Sequence, residues 1–474
     1  MIAPVNKDCR MKSTPCSVAV VLSLLLCGCA TLVPERTDVT PSIPAQWPAA
    51  GASEVPLSQD GSLPGWRDYF TDPRLQQVIE QALENNRDLR VAVLNVERAR
   101  GQYRVQRADR VPGLNVQGQM ERMGGDTPVT EQYSAGVGVA EFELDLFGRV
   151  RNLSEAALQQ YFSVAANRRN AHLSLVAETA TAWMTLGADR ELLRIAGATV
   201  DSYEDSLRLA QARFERGGSS ALELAQTRTL VETARTDAAR LRGQVERDRN
   251  ALAVLIGSPL DDTLLPTAVT DAGLAALAPP PGDLPSDILL QRPDIMAAEH
   301  TLLSANANIG AARAAFFPSI RLTGSVGSAS SELSGLFDSG TRAWRFLPTI
   351  TLPIFQGGRL RAGLAVSEAE GDIALAQYEK AIQVGFREAS DALASSSSLD
   401  AQRASQEALL DAATQAERLS QARYDAGLDS FVTLLDARRT AYTAQQSRLQ
   451  TVLSQQANRV TLYKVLGGGW RERG

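Results

Sequence analysis

The chain of 474 residues has only four cysteines, Cys9, Cys16, Cys27 and Cys29, and only two histidines, His172 and His300. With every cysteine in the first 29 residues, the body has neither a disulfide framework nor a Cys/His metal site. Two isolated histidines also leave little for general acid–base chemistry. Phosphate-cradling glycine loops, dinucleotide fingerprints, zinc-binding helix motifs and nucleophile elbows are all missing, so the sequence does not read as an enzyme, and no cofactor is expected. Lys+Arg 48 against Asp+Glu 54 gives a net charge of -6 with no basic block, which argues against nucleic-acid partners.

The N-terminus reads as an address. Lys7, Arg10 and Lys12 precede an apolar run at 18–26, the length of a signal-peptide core and too short to span a bilayer stably. The run ends in Leu26-Cys27-Gly28-Cys29, which resembles a bacterial lipobox. The expectation is a lipoprotein signal peptide at 1–28 and a covalent lipid on Cys29. A proline-rich stretch follows, so 29–70 reads as an extended tether.

Length alone suggests about three domains, but the body compares with itself. At an offset of 210, Arg213/Arg423, Gly217/Gly427, Ser220/Ser430, Arg228/Arg438 and Gly257/Gly467 coincide; at 206, Asp88/Asp294, Arg107/Arg313 and Pro112/Pro318 do. This gives two repeats, 71–260 and 286–474, joined by a connector at 261–285. No proline lies between Pro128 and Pro259 or after Pro353, as long helices require, since an interior proline costs about 3 kcal/mol. Long helices are expected at 148–216 and 356–426, roughly 103 and 106 Å long at 1.5 Å rise. Shorter ones are expected at 218–256 and 429–466, with about 36 helical residues before Val111 and about 30 before Phe316. In the second repeat Leu375, Tyr378, Ile382, Gly385, Ala389, Ala392, Ser396 and Leu399 trace a 3-4 seam of mostly small residues, suited to a close coiled coil or an ordinary bundle core.

A strand pair precedes each long helix, within 114–147 and 320–355. Ala140, Phe142, Leu144 and Leu146 alternate with Glu141, Glu143 and Asp145, giving one apolar and one acidic face. Four strands cannot close a membrane barrel, for which about 8 is the minimum, so the chain must oligomerise, and three copies would supply twelve. Three copies also bring six repeats whose long helices can ring a tunnel, whereas a dimer with eight strands is permitted but would leave little lumen.

Gly65-Trp66-Arg67-Asp68-Tyr69-Phe70, Phe142-Glu143-Leu144-Asp145-Leu146-Phe147-Gly148-Arg149, Ala311 to Ser319, Leu352-Pro353-Ile354-Phe355 and Leu462 to Trp470 together resemble the outer membrane factor family, in its lipidated branch. The resemblance covers 29–474. It implies the fold class of an α+β membrane protein, a TolC-like homotrimer whose trimeric 12-stranded β-barrel in the bacterial outer membrane continues into a long α-helical tunnel through the periplasm. Such a conduit works with a periplasmic adaptor and an inner-membrane transporter of RND type, most often in multidrug efflux. Export of a secreted protein or of a metal ion is the alternative within the conduit class, and a lipid-anchored coiled-coil tether without a pore is the alternative outside it.

The glycines at 217 and 427 suit tight helix reversals, and the family places such tips against the adaptor. The docking candidates are therefore Arg213, Gly217, Ser220, Arg423, Gly427 and Ser430, which helix capping alone would also explain. Beyond the second tip, Val432 and Asp436 share a helical face, and three copies would set an apolar ring above a carboxylate ring. Arg439 is placed to pair with Asp436. Because the segment 432–439 resembles the constricted end of the family's tunnel, these three residues are the gate candidates, and a plain exposed ion pair is the alternative. Gln226 stands in the first repeat where Asp436 stands in the second. Glu141, Glu143 and Asp145 are candidates for an acidic lumen lining that favours cations, although a solvated strand face accounts for them as well.

Overall fold

The computed structural model describes residues 32–34, 44, 65–126, 128–266 and 286–468. The signal peptide, Cys29, most of the tether, most of the 261–285 connector and Gly469 lie outside the described residues. In chain order the elements are α1 (Trp66–Tyr69), α2 (Pro73–Asn85), α3 (Arg87–Ala108), β1 (Asn115–Met123), β2 (Thr130–Leu144), α4 (Arg149–Glu215), α5 (Ala221–Ile256), α6 (Pro293–Ala314), β3 (Ser319–Ser330), β4 (Arg342–Thr351), α7 (Arg359–Asp425) and α8 (Phe431–Val465). The repeat is visible in the lengths: α4 and α7 each have 67 residues, α5 has 36 and α8 has 35. No helix among the described residues is long and apolar enough to cross a membrane.

The short helical stretches expected before Val111 and Phe316 are interrupted, for local reasons. Asn86 takes an extended conformation, its Oδ1 accepts from the Leu89 amide at 2.9 Å, and its Nδ2 donates to the Leu255 carbonyl at 2.9 Å. It thus starts α3 as a capping residue and fixes that start to the end of α5. In the second repeat a 3-10 turn, Ser286–Gln291, precedes α6, which opens on Pro293, where the missing N–H costs nothing.

The chain divides into two compact units. The first contains Glu97–Ser163 and Ala298–Gln377 and holds the sheet, an antiparallel β1-β2-β3-β4 meander. Its register sorts the side chains. Val116, Val137, Val326 and Trp344 are aligned across all four strands, and Leu144, Ile320 and Ile350 across three. These rows belong to one face; Glu143, Arg321 and Thr349 belong to the other. The apolar face is exposed among the described residues: Val116 is 84% exposed, Trp344 77% and Ile350 69%.

The alternation expected along β2 is broken by a bulge. Val139 pairs with Gly324 but Phe142 with Leu322, so Ala140 and Glu141 together oppose Thr323. Glu141 lies in the left-handed region at φ 52°, and its amide donates to Thr323 Oγ1 at 3.3 Å. The extra residue puts Phe142 on the same face as Val139 despite the odd spacing. Ala140 therefore does not extend the apolar stripe.

The second unit contains Val164–Ala297 and Tyr378–Gly474, with residues before Val96. Its main core gathers Phe70, Ile79, Trp183, Leu186, Leu252, Ile256 and Tyr463 from α2, α4, α5, α8 and the turn after α1. Ile382, Ala389 and Ala392 of the small-residue seam pack in a second cluster with Leu289, Ile295 and Leu462. Buried Arg292 locks that cluster. It donates to Asp294 at 3.0 and 2.7 Å, to Glu388 at 2.8 Å and to the Val465 carbonyl at 3.0 Å.

Candidate functional site

The two tips have the same construction. α4 ends in a reversal through Gly217 at φ 72°, α7 in one through Gly427 at φ 73°, and neither position has an atom close enough to crowd a Cβ. Backbone conformation alone selects glycine there. The Gly218 amide closes the first turn on the Arg213 carbonyl at 2.8 Å, and the Leu428 amide closes the second on the Arg423 carbonyl at 2.9 Å. Ser220 and Ser430 then cap α5 and α8, accepting from the amides of Glu223 and Thr433. Arg423 forks onto Asp429 at 2.6 and 3.0 Å, holding that carboxyl below its usual range.

The tips are also joined to each other. Arg213 Nη1 donates to the Tyr424 hydroxyl at 3.0 Å, with its guanidinium 5.4 Å from the ring centre, and the hydroxyl donates onward to Glu223 Oε1. Burial and then Glu223 push the Tyr424 hydroxyl above its ordinary value, so it stays a donor at neutral pH. A second link lies farther from the turns: Arg438 donates to Ser206 Oγ at 2.8 Å and to Gln421 Oε1 at 2.6 Å. The Tyr442 hydroxyl reaches Asp237 Oδ2 at 3.2 Å, and burial, with Asp237, pushes it up to about 12. These links run between the α4–α5 hairpin and the α7–α8 hairpin. Tyr424, Glu223 and Arg438 are absent from the sequence-derived candidates. Their signal was in the repeat alignment, where Tyr424 replaces Phe214 and Glu223 stands opposite Thr433.

Val432, Asp436 and Arg439 share an exposed face of α8, Val432 at 56%, while Leu434 and Leu435 turn inward. The ion pair expected between Asp436 and Arg439 is not formed among the described residues. An exposed pair gains too little in water to hold two side chains together.

The three strand carboxylates do not form one free acidic row. Glu143 is bound by Arg149 at 2.8 and 2.6 Å. Asp145 lies beyond β2 and accepts from the Val150 and Arg151 amides at 3.1 and 2.6 Å, capping α4. Glu141, on the bulge, is 3.6 Å from Arg321. Sequence alternation could not show these pairings, because the cations lie on another strand and a helix.

Near the same end of the first unit, Phe147 stacks on Phe317 with ring centres 4.7 Å apart. The Arg313 guanidinium reaches the Leu32 carbonyl at 3.4 Å, and Val33 lies over Gly310 beside Asn152. Leu32 and Val33 are therefore seated against α6.

Residues 78–258 and 284–468, almost the two repeats, match the outer membrane efflux protein family. A probable efflux pump outer membrane protein TtgC of Pseudomonas putida is 44% identical over 463 residues, covering 96% of this chain and 95% of its own length. The outer membrane protein OprJ of Pseudomonas aeruginosa is 40% identical over 470 residues, covering 98% of both. The crystal structure of the open state of the Neisseria gonorrhoeae MtrE outer membrane channel superposes with a TM-score of 0.84 at 40% identity, over 93% of this chain and 98% of that one. A meander with an exposed apolar face, two 67-residue helices and paired glycine-turned tips thus have matches along nearly the whole chain, and the protein belongs to the outer membrane efflux protein family.

Proposed function

We propose that three copies of this chain form the exit duct of a tripartite efflux system, passing drugs or other small molecules across the bacterial outer membrane without catalysing a reaction. The observation that carries the reading is the four-stranded sheet, open at β1 and β4, whose Val116/Val137/Val326/Trp344 row is exposed on one face. An open sheet edge is not tolerated in lipid, and an apolar face wants hydrocarbon. Twelve strands from three copies satisfy both, and the long helices then wall a periplasmic tunnel.

In this duct Val432, Asp436 and Arg439, exposed on each α8, face the axis from three copies and constrict it. The Tyr424–Glu223 and Arg438–Ser206 links hold each protomer's hairpins in the resting position. The tip residues Arg213, Gly217, Ser220, Arg423, Gly427 and Ser430 form the surface for a periplasmic adaptor, which couples the duct to an inner-membrane transporter of RND type. Efflux of small molecules is supported by relatives named for antibiotic, toluene and solvent efflux pumps. A lipid on Cys29 adds an anchor, and the seat of Leu32 and Val33 on the first unit supports an attachment close to the sheet.

The test is single-channel conductance of the detergent-purified protein in a planar bilayer, with the mass measured on the same preparation. A trimer with a small resting current is expected. A folded monomer that carries no current would overturn the duct and favour an envelope tether.

A further inference from the structure

Away from the tips, the two repeats differ at one interhelical bond. At the offset of 210, Asp248 of α5 stands where Asn458 stands in α8, each followed by an arginine, Arg249 and Arg459. Asn458 Nδ2 donates to the Ala392 carbonyl at 2.9 Å and ties α8 to α7. The counterpart of Ala392 is Ala182 on α4, but an ionised carboxylate has no proton to give it. Asp248 Oδ1 accepts from Gln244 Nε2 of its own helix at 2.8 Å, and Oδ2 is buried with no hydrogen-bond partner among the described residues.

At this place in the first repeat there is a cavity of about 420 Å³ between α4, α5 and α8, with Asp248 and Ala182 both in its wall. Small-molecule sites occupy about 300–1,000 Å³ and set a few polar groups in an apolar wall. The wall here is mainly alanine, valine and threonine, and the threonine hydroxyls donate to carbonyls of their own helices. The other charged groups in it are Glu178 of α4 and Lys464 of α8. Two carboxylates against one ammonium leave a single negative charge. Water in the cavity supplies donors but not the missing positive charge, and a buried charge without a counterion is costly.

We propose that this cavity is a binding site for a small primary ammonium ion with an apolar body, whose N–H donors serve the Asp248 and Glu178 carboxylates while its body lies against the alanine and valine wall. The bound ion joins α4 to α5 where Asn458 joins α8 to α7, so it stabilises the fold as well as occupying it. A neutral molecule of the same shape leaves the charge unmet, and a carboxylate adds to it. The site does not depend on the duct reading, and conductance is not its readout.

The experiment titrates benzylammonium into the detergent-purified full-length protein at pH 7, followed by calorimetry and by Tm, with benzyl alcohol in the same detergent as the uncharged control. Saturable binding that raises Tm is expected for benzylammonium, with benzyl alcohol at least about tenfold weaker, the loss of one charge-assisted hydrogen bond. Asp248→Asn keeps the acceptor for Gln244 and supplies the donor that Asn458 supplies in the second repeat, so it should melt no lower than the unaltered protein while binding benzylammonium at least about tenfold more weakly. Lys464→Met removes the competing ammonium and should tighten binding. Equal affinity for the alcohol, undiminished affinity in Asp248→Asn, or no saturable binding at millimolar benzylammonium would overturn the site. Binding that appears only in Lys464→Met would overturn it too, since the chain's own ammonium would then already serve Asp248.

Discussion

The Tyr424 hydroxyl donates to Glu223 across the two helical hairpins, and both residues sit where the repeats diverge. Phe214 occupies the Tyr424 position in the first repeat, and Thr433 the Glu223 position in the second. Two identical hairpins offer the same groups to each other; a donor on one and an acceptor on the other makes a directed link. The divergence therefore has a chemical use, tying one tip to the other within a protomer.

Tyr424→Phe keeps the ring beside Phe431 and removes both hydrogen bonds. Each bond contributes about 0.5–1.5 kcal/mol, so the chain should fold and the tips should separate more easily. Resting single-channel conductance is expected to rise. A value equal to that of the unaltered protein would remove this link from the gate.

Asp436→Ala combined with Arg439→Ala separates gate from fold. With no ion pair between them and both side chains exposed, stability should change by no more than about 0.5 kcal/mol in thermal melts. Conductance should increase and cation preference should fall. A large loss of Tm with unaltered conductance would assign these residues to packing instead.

Two glycines distinguish conformation from crowding. Gly217→Ala meets no atom within 4 Å, so its cost is the left-handed conformation alone, about 1–2 kcal/mol. Gly257→Ala carries the same strain at φ 70° and also places its Cβ 2.6 Å from the Asn85 carbonyl oxygen. Gly257→Ala should have the lower Tm of the two. Equal melting points would contradict the close approach of α5's end to Asn85.

Asp145→Ala leaves the first amides of α4 without their acceptor and should cost about 0.5–2 kcal/mol. Since Asp145 is not a member of the ladder, strand content by circular dichroism should be unchanged. A cation preference lost with Tm unchanged would instead return Asp145 to the lumen.

Helices, strands and tips were legible because each has a short-range cause. Proline-free Ala/Leu/Arg/Glu runs give α4 and α7; glycine and serine at fixed offsets give the reversals and caps. Asn86 was missed as a break because asparagine inside a helical pattern signals a cap only when its side chain finds the Leu89 amide. The bulge at Glu141 was missed because Ala140 to Leu146 alternates well by itself. Its register is set by β3, a strand almost two hundred residues away, where Thr323 faces two residues at once.

What the sequence determined by itself was the repeat, the helix–strand–helix order and the need for partner copies, all of which follow from local periodicity and from counting strands. Only the tertiary structure decided which charged and hydroxyl groups meet. Glu143 went to Arg149, Tyr424 to Glu223, and Arg438 to Ser206. The reason is physical: periodicity fixes the face on which a side chain lies, but a hydrogen bond depends on distances of about 3 Å between chain segments that only packing brings together.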